Sequence, residues 1–515
     1  MKSTFARRKA INSALLTAVL VLGLLPACQP QATDQATDTE KKPAEENQTA
    51  HAETADKPNE QQEVDVLIVG GGLSGLSTAY QLKKSGISYR ILELAPRVGG
   101  RVRTGSYPEK LHAEVGLAEF WDGNPALEIV KELKVPMERV DTGLSSFIAD
   151  GKVYPFKGKT NQEFIASLLN PEEYKRWQAW DAKMEKLLHE VEAGHASGQM
   201  PQELQALKAL SFADWLKKEN LPPLGLKLIH AVLAPEVGTP LERISALDGI
   251  AEWHLFVGKG AMPNHVVGGN QNLTEAIATH IGKEHISLNT QVTNVVDGPE
   301  GVEIRAVDTS NFKNKTFKAK HAVLAIPLYR LFELQFRPRL GDQIYQAIHS
   351  QSWGAYFTAH VILDKAAEKY WTIDGANALP LLTGGPLGVI YPGQGSGDGK
   401  HVLINLLITG DFAEGYNART GSFDDVQKQI EAEFEKTFPG IGSQIRKFTF
   451  FRYHPRAIAS WPVGRSRFDE LSNGLRKAHG HLYFGGDFTE SSHSDGAVIA
   501  AQRVSKQIAE VLGKK

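Results

Sequence analysis

Gly70, Gly72 and Gly75, with Glu93 behind them, are the residues whose types and spacing point most directly to chemistry. The glycines form a G-x-G-x-x-G turn immediately after the apolar run Val66-Leu67-Ile68-Val69. A turn of this kind cradles the pyrophosphate of a dinucleotide. Gly70 permits the tight bend, Gly72 lets the backbone approach a phosphate, and Gly75 lets a helix pack close to the strand. The helix start, around Leu73 and Ser74, offers free N–H groups and a partial positive charge. Glu93, 23 residues after Gly70, stands where a carboxylate grips ribose hydroxyls. An ordinary glycine turn is the plain alternative, but it leaves the flanking elements and the acid unexplained.

The elements that must hold these residues are legible around them. An apolar strand ends at Val69, Leu76 to Ser85 reads as a helix ended by Gly86, and Tyr89 to Leu92 reads as a second strand delivering Glu93. Next comes Arg97-Val98-Gly99-Gly100-Arg101-Val102-Arg103-Thr104. Its two glycines allow close backbone approach, and Arg97 and Arg101 carry forked donors suited to phosphate. This stretch resembles the R-x-G-G-R-x-x-T signature of the flavin amine oxidase superfamily. That superfamily includes monoamine and polyamine oxidases, L-amino-acid oxidases, protoporphyrinogen oxidase and carotenoid desaturases. The resemblance implies that the dinucleotide is FAD.

Two further landmarks extend the resemblance over most of residues 63–515. Val266-Val267-Gly268-Gly269-Asn270-Gln271-Asn272-Leu273 leads a helix with Leu273, Ile277 and Ile281 on one face. A strand pair around 286–288 and 291–295 follows, and then His321-Ala322-Val323-Leu324-Ala325-Ile326-Pro327. Val292 falls where family members present backbone groups to the adenine. The last landmark is Leu482-Tyr483-Phe484-Gly485-Gly486-Asp487, before a terminal helix starting near Asp495 with Val498, Ala501, Val504, Ile508 and Val511 on its apolar face. By resemblance, this helix start, with Asp495, Ala497 and Val498, faces the flavin's pyrimidine edge. Asp495 as a simple N-cap is compatible with that role. Gly116 and Leu117, in Glu114-Val115-Gly116-Leu117-Ala118-Glu119-Phe120-Trp121, match the family segment that runs beneath the flavin.

The implied fold class is α/β, a Rossmann-like FAD-binding domain interleaved with an α+β substrate domain. The boundaries expected are 63–125, 262–333 and 448–515 for the first, and 126–261 and 334–447 for the second. Pocket candidates come from the same comparison. Thr358, in Gly354-Ala355-Tyr356-Phe357-Thr358, takes the place of a lysine that assists reaction with oxygen in many family oxidases. Lys365 is a poor substitute, since its odd spacing turns it to the other face of a strand. His493 and Trp461 fall near the two aromatic rings that sandwich an amine in monoamine oxidases. Trp461 reads equally well as core packing, and His493 can move a proton near neutral pH. Glu119 offers a charge for an ammonium group and Trp121 a π face; a loop acid is the bland alternative for Glu119. The histidines have no ligand-like spacing, so no metal is expected.

The chain has 515 residues and a formal net charge of −2, so more than one domain is expected and no basic field argues for nucleic acid. Residues 1–28 read as an export segment: a positive head with Lys2, Arg7, Arg8 and Lys9, then the apolar run Ala14 to Ala27. That run is shorter than the roughly 20 residues of a membrane-spanning helix. It ends in Leu25-Pro26-Ala27-Cys28, which resembles a bacterial lipobox, and Cys28 is the only cysteine. A lipid anchor at Cys28 is expected, with a plain cleaved signal or an uncleaved anchor as alternatives. The absence of aspartate at Gln29 resembles outer-membrane sorting, and the location expected is the periplasmic side of the cell envelope. Arg7-Arg8 also resembles part of a twin-arginine signal. Gln29 to Gln62 holds eight acids, three lysines and no large apolar residue, the composition of a disordered tether.

The function expected is oxidation of an amine by hydride transfer to FAD. The FAD is held non-covalently, since no cysteine lies near the flavin motifs. Oxygen or a quinone-type electron carrier is the acceptor. A carbon–carbon desaturase of the carotenoid desaturase or protoporphyrinogen oxidase type is the second reading. A non-catalytic flavin-fold protein, like the GDP dissociation inhibitors, is the third.

Overall fold

The computed structural model describes residues 63–139, 145–156, 158–253, 263–418, 422–451 and 454–514. The export segment, Cys28 and the 29–62 linker lie outside the described residues.

The strand Val64–Val69 serves two cores at once, which explains its apolar run. Val66 and Ile68 face one cluster with Leu76, Leu273, Ile277, Val498 and Val504. Leu67 and Val69 face another with Val295, Ile304, Phe317 and Ile344. Successive strand side chains point to opposite sides, so a strand covered on both faces must be apolar at every position. It pairs in parallel with Tyr89–Leu92 on one edge and Asn314–Leu324 on the other. The full order is Ile286–Ser287, Tyr89–Leu92, Val64–Val69, Asn314–Leu324, Gly301–Asp308, Thr290–Gly298 and Gln335–Arg337, with Leu482–Phe484 also beside Asn314–Leu324. Helices Leu73–Lys84, Gln271–Ile281 and Ser494–Val511 cover one face. The glycine turn and Glu93 therefore leave the carboxyl ends of adjacent parallel strands, where such sheets bind ligands.

The first helix begins at Leu73, three residues before the position expected, and Gly75 lies in its first turn. Propensity disfavours glycine there, but a Cβ on residue 75 would lie 1.9 Å from the Gly70 carbonyl oxygen. The helix thus starts where close approach demands glycine. The terminal helix begins at Ser494 with His493 at the N-cap position, so Asp495 lies inside the first turn and is not the cap. Val511, expected on its apolar face, is 65% exposed, while Leu512 beside it packs against the core. The segments near 286–288 and 291–295 do not pair with each other: Ile286–Ser287 joins Tyr89–Leu92, and Thr290–Gly298 joins Gly301–Asp308. Periodicity identifies strands but not their partners.

A second sheet is ordered Ile445–Phe450, Ser352–Asp364, His401–Thr409, Val389–Pro392, Leu381–Leu382, Ser146–Ala149 and Lys152–Tyr154, with His454–Ser460 also on Ser352–Asp364. Helices between Asn161 and Ala251 pack beside it around Trp177, Trp180, Phe212 and Trp253. Contacts move the sequence-drawn boundaries. Ala126–Leu133 packs in the nucleotide core through Ala126, Ile129 and Val130. Gln335–Arg337 pairs in the first sheet and Asp342–Ser350 packs against it, whereas His454–Ser460 belongs to the second. Strand pairing across the sequence, invisible to composition, draws these limits.

Candidate active site

The dinucleotide tract is assembled from three separated segments. Gly70 adopts φ +108°, a conformation that side chains rarely adopt. Gly72 precedes the helix without any side-chain cap, leaving the first N–H groups at Leu73, Ser74 and Gly75 without intrahelical acceptors. Glu93 is fixed by two backbone donors: Gly71 N–H at 2.6 Å to Oε2 and Ala95 N–H at 2.7 Å to Oε1. The Glu93 carbonyl accepts from Thr290 N–H, which brings Val292 two residues from it. The Val292 side chain is buried, and the strand bulges between Val292 and Asn294. At the other end, His493 begins the terminal helix, again without a side-chain cap. Asp495 accepts from Ser491 Oγ at 2.8 Å, Ala497 is buried, and Val498 packs wholly in the core.

A second layer braces this tract. Arg101 donates to both oxygens of Asp487, at 2.8 and 2.7 Å, and to the Ala457 carbonyl. Three of its five N–H donors thus bond protein groups. Arg97 likewise donates to the carbonyls of Val98, Val102 and Gly100, so it shapes its own loop. Ser74 Oγ is bonded to the Gly485 carbonyl, which ties the first helix to Gly485-Gly486. Gly116 is pressed on the Arg101 carbonyl, where a Cβ would come within 1.8 Å, and Leu117 N–H donates to the same oxygen. Glu114 accepts from Asn270 N–H at 2.7 Å and Thr104 Oγ at 2.9 Å; burial still pushes its pKa up to about 7. Asn270 Nδ2 donates to the Leu117 and Ala118 carbonyls. The second landmark therefore secures the segment that leads to Glu119.

Side chains of the strand Ser352–Asp364 meet the Glu114–Val115 backbone next to this tract. Residues of even number on Ser352–Asp364 face this side, by the alternation of a strand. Tyr356 donates to the Glu236 carbonyl at 2.9 Å and the Pro235 carbonyl at 3.1 Å, at the end of helix Pro223–Val237. Thr358 donates to the Val115 carbonyl at 3.2 Å and is buried. Its hydroxyl positions the backbone beneath the dinucleotide tract and is not free for proton transfer. Lys365 is exposed beyond the strand end.

His493 Nε2 lies 3.0 Å from Glu252 Oε2. Glu252 also accepts from Ser492 Oγ at 3.0 Å and from Arg467, whose Nε donates to Asp248 at 2.9 Å. Burial favours neutral His493, but the Glu252 charge and hydrogen bond overcome it and hold the pKa at about 9. Burial raises the pKa of Glu236, with His493 opposing and Glu252 adding. Burial pushes Glu119 up to about 8, and neighbouring Glu236 adds to the effect.

Trp461, a pocket candidate, packs in a core cluster and borders a small hollow with Asp248 and Glu252. It is 1% exposed, its Nε1 donates to Ser472 Oγ, and the Arg467 guanidinium lies 4.7 Å from its ring centroid. Trp121 is half-buried on a short strand paired with Asn264 and Pro263.

Two uncapped helix starts, a backbone-held acid and close glycine contacts in one groove fit an elongated, negatively charged dinucleotide. A model of the flavin-containing amine oxidoreductase family matches residues 73–509. The chain belongs to that family. It is an FAD-dependent oxidoreductase of the amine oxidase type. A flavin-containing amine oxidase of Danio rerio is 24% identical over 481 residues, covering 87% of this chain and 86% of the relative. Among solved structures, putrescine oxidase bound to putrescine superposes with a TM-score of 0.72 at 21% identity, covering 87% of this chain and 99% of that one. Cyclohexylamine oxidase from Brevibacterium oxydans gives 0.70 at 20% identity, covering 88% and 100%. At these identities the structures speak for the α/β fold.

Sequence reasoning missed Glu236, Glu252, Arg467, Asp248 and Tyr356. One signal was present: Asp248 and Glu252 lie four apart in the otherwise apolar run Ala246-Leu247-Asp248-Gly249-Ile250-Ala251-Glu252-Trp253, so they share a buried helix face. Glu236 carries no comparable signature.

Proposed function

We propose that the protein oxidises a small-molecule amine at the carbon beside nitrogen and binds its FAD without a covalent link. Bound FAD supplies the two-electron acceptor for that carbon. Leu73, Ser74 and Gly75 hold the pyrophosphate with backbone N–H groups, Glu93 the ribose, and the backbone at Val292 the adenine. The start of the terminal helix, at His493 to Gly496, stabilises negative charge at the flavin edge through its dipole. His493, kept protonated by Glu252, adds a fixed cation there.

The observation that carries the reading is the presence of two enclosed carboxyl groups that feel each other's charge, Glu119 and Glu236, with Tyr356 bonded to the Glu236 carbonyl. Enclosed carboxyl groups attract an ammonium group, and a burial-raised carboxyl such as Glu236 is matched to taking up the proton an amine must lose. A polyene offers these groups no partner, so their burial would go uncompensated. That argument favours an amine over a desaturase substrate. Oxygen is the acceptor proposed, with a quinone-type carrier as the alternative that Thr358 in the lysine position suggests. The test is product analysis with an amine panel and an artificial electron carrier. An aldehyde or ketone, with ammonia or a shorter amine, supports the reading. Turnover of polyenes or porphyrinogens alone contradicts it.

We also propose export and a lipid anchor at Cys28 on the periplasmic side of the envelope, supported by the charged head, the short apolar run and the acidic linker. Metabolic labelling with a fatty acid tests this. Label on wild type and none on Cys28→Ser is the expected result.

A further inference from the structure

A buried polar cluster joins the dinucleotide tract to the second sheet, and the proposed reaction makes no use of it. Its centre is Glu114, which is gripped from both sides. On the dinucleotide side, Asn270 N–H and Thr104 Oγ donate to its carboxyl group. On the other side, its carbonyl accepts from His360 Nε2 at 3.0 Å and from Asn405 Nδ2 at 2.9 Å, which occupies both lone pairs. His360 and Asn405 are cross-strand partners on Ser352–Asp364 and His401–Thr409, and both are buried.

The two partners of His360 fix its chemistry. A carbonyl only accepts, so Nε2 carries the proton. Burial, opposed by the Glu114 bond, lowers the pKa to about 4, so the ring is neutral near pH 7. Nδ1 is then an acceptor, and the Tyr107 hydroxyl lies 2.7 Å from it. The ring seats against the strand Thr104–Ser106 at Gly105, where a Cβ would come within 3.1 Å of Cε1. Any larger residue at 105 would push the imidazole off its place. The Phe451 ring meets it edge-on, with centroids 4.6 Å apart.

Neighbouring residues on the same strand face extend the contact. Thr358 bonds the Val115 carbonyl, and Tyr356 bonds the end of helix Pro223–Val237. Past Val115, Gly116 presses on the carbonyl of Arg101, and Arg101 is paired with Asp487. All three dinucleotide landmarks therefore converge on Glu114–Leu117: Arg101 and Thr104 from the first, Asn270 from the second, Asp487 from the third. We propose that His360 is a positioning residue for FAD. With Tyr107 behind it, it holds the Glu114 carbonyl and so sets where the Val115–Gly116–Leu117 backbone meets the flavin. The second sheet then helps to decide how firmly the dinucleotide is held. This rests on the FAD tract and does not depend on which substrate is oxidised.

The experiment follows FAD release from diluted holoprotein by flavin fluorescence, together with the visible circular dichroism of the bound flavin. It compares wild type, His360→Leu, His360→Gln and Tyr107→Phe. Leu removes both bonds, whereas Gln offers an Nε2 donor at similar reach. Release should be at least about tenfold faster in His360→Leu, with a shifted visible band, and about threefold faster in Tyr107→Phe. His360→Gln should return to within about threefold of wild type with the wild-type band. Equal acceleration in the Leu and Gln variants would overturn the proposal, because packing alone would then explain the loss. Wild-type release and spectrum in Tyr107→Phe and His360→Leu would also overturn it. If His360→Leu does not fold, the half-buried Tyr107→Phe decides. Glu93→Ala is the reference: faster release there and in no variant of the cluster refutes positioning by His360, whereas no change in any of them shows that FAD does not occupy this tract, and the proposal falls with it.

Discussion

Replacing His493 by glutamine removes one charge from the buried Glu252–Arg467–Asp248 group while keeping a polar side chain. The magnitude follows from linkage. The folded-state pKa of His493 is about 9 against an ordinary 6.5, a rise of about 2.5 units. At 1.36 kcal/mol per unit this amounts to about 3 kcal/mol. Because the folded pKa is raised, the contribution is fully present below pH 6.5 and disappears as pH rises through 9. Glu236 also faces His493, and its pKa rises further when the imidazolium is removed. The same attraction already contributes to the His493 shift, so the two effects are not added. The assay is urea unfolding of holoprotein in saturating FAD at several pH values from 6 to 10. The stability gap between wild type and His493→Gln should narrow as pH rises. A gap that is constant across the range would refute the claim that Glu252 holds His493 protonated.

Glu93→Ala removes the acceptor of two backbone N–H groups, each charge-assisted bond worth about 1.5–3 kcal/mol. FAD affinity should fall at least about a hundredfold, measured by equilibrium dialysis, and unchanged affinity would argue against its place in the tract. Trp461→Phe loses the bond to Ser472 and its contact with Arg467, and should cost about 1–3 kcal/mol of stability without altering substrate KM. A large KM change would return Trp461 to the pocket. Thr358→Lys should speed reoxidation of reduced enzyme by oxygen in stopped flow; no acceleration would count against oxygen reactivity depending on that position.

The dinucleotide tract was legible because its chemistry is local: Gly70, Gly72, Gly75 and Glu93 sit in one strand–turn–helix–strand unit whose spacing carries the geometry. What sequence left out is long-range. Nothing local marks the partner of Arg101, because Asp487 lies 386 residues away. What the Thr358 hydroxyl bonds was hidden, because the Val115 carbonyl that takes it is 243 residues distant. Trp461 was undecided for the same reason, since burial and the Arg467 contact decide it. Glu236 comes from a helix end with no motif, and only the tertiary fold brings it near Glu119 and His493. The moved domain limits also follow from strand partners far apart in sequence.

The central proposal is that a tightly held FAD takes two electrons from an amine. Anaerobic mixing of natively purified holoprotein with an amine panel, while following the visible flavin band, tests it most directly. The band should bleach with at least one amine, and the FAD should leave the protein intact on denaturation. A colourless protein that never takes up FAD, or a flavin that no amine bleaches, would contradict the account.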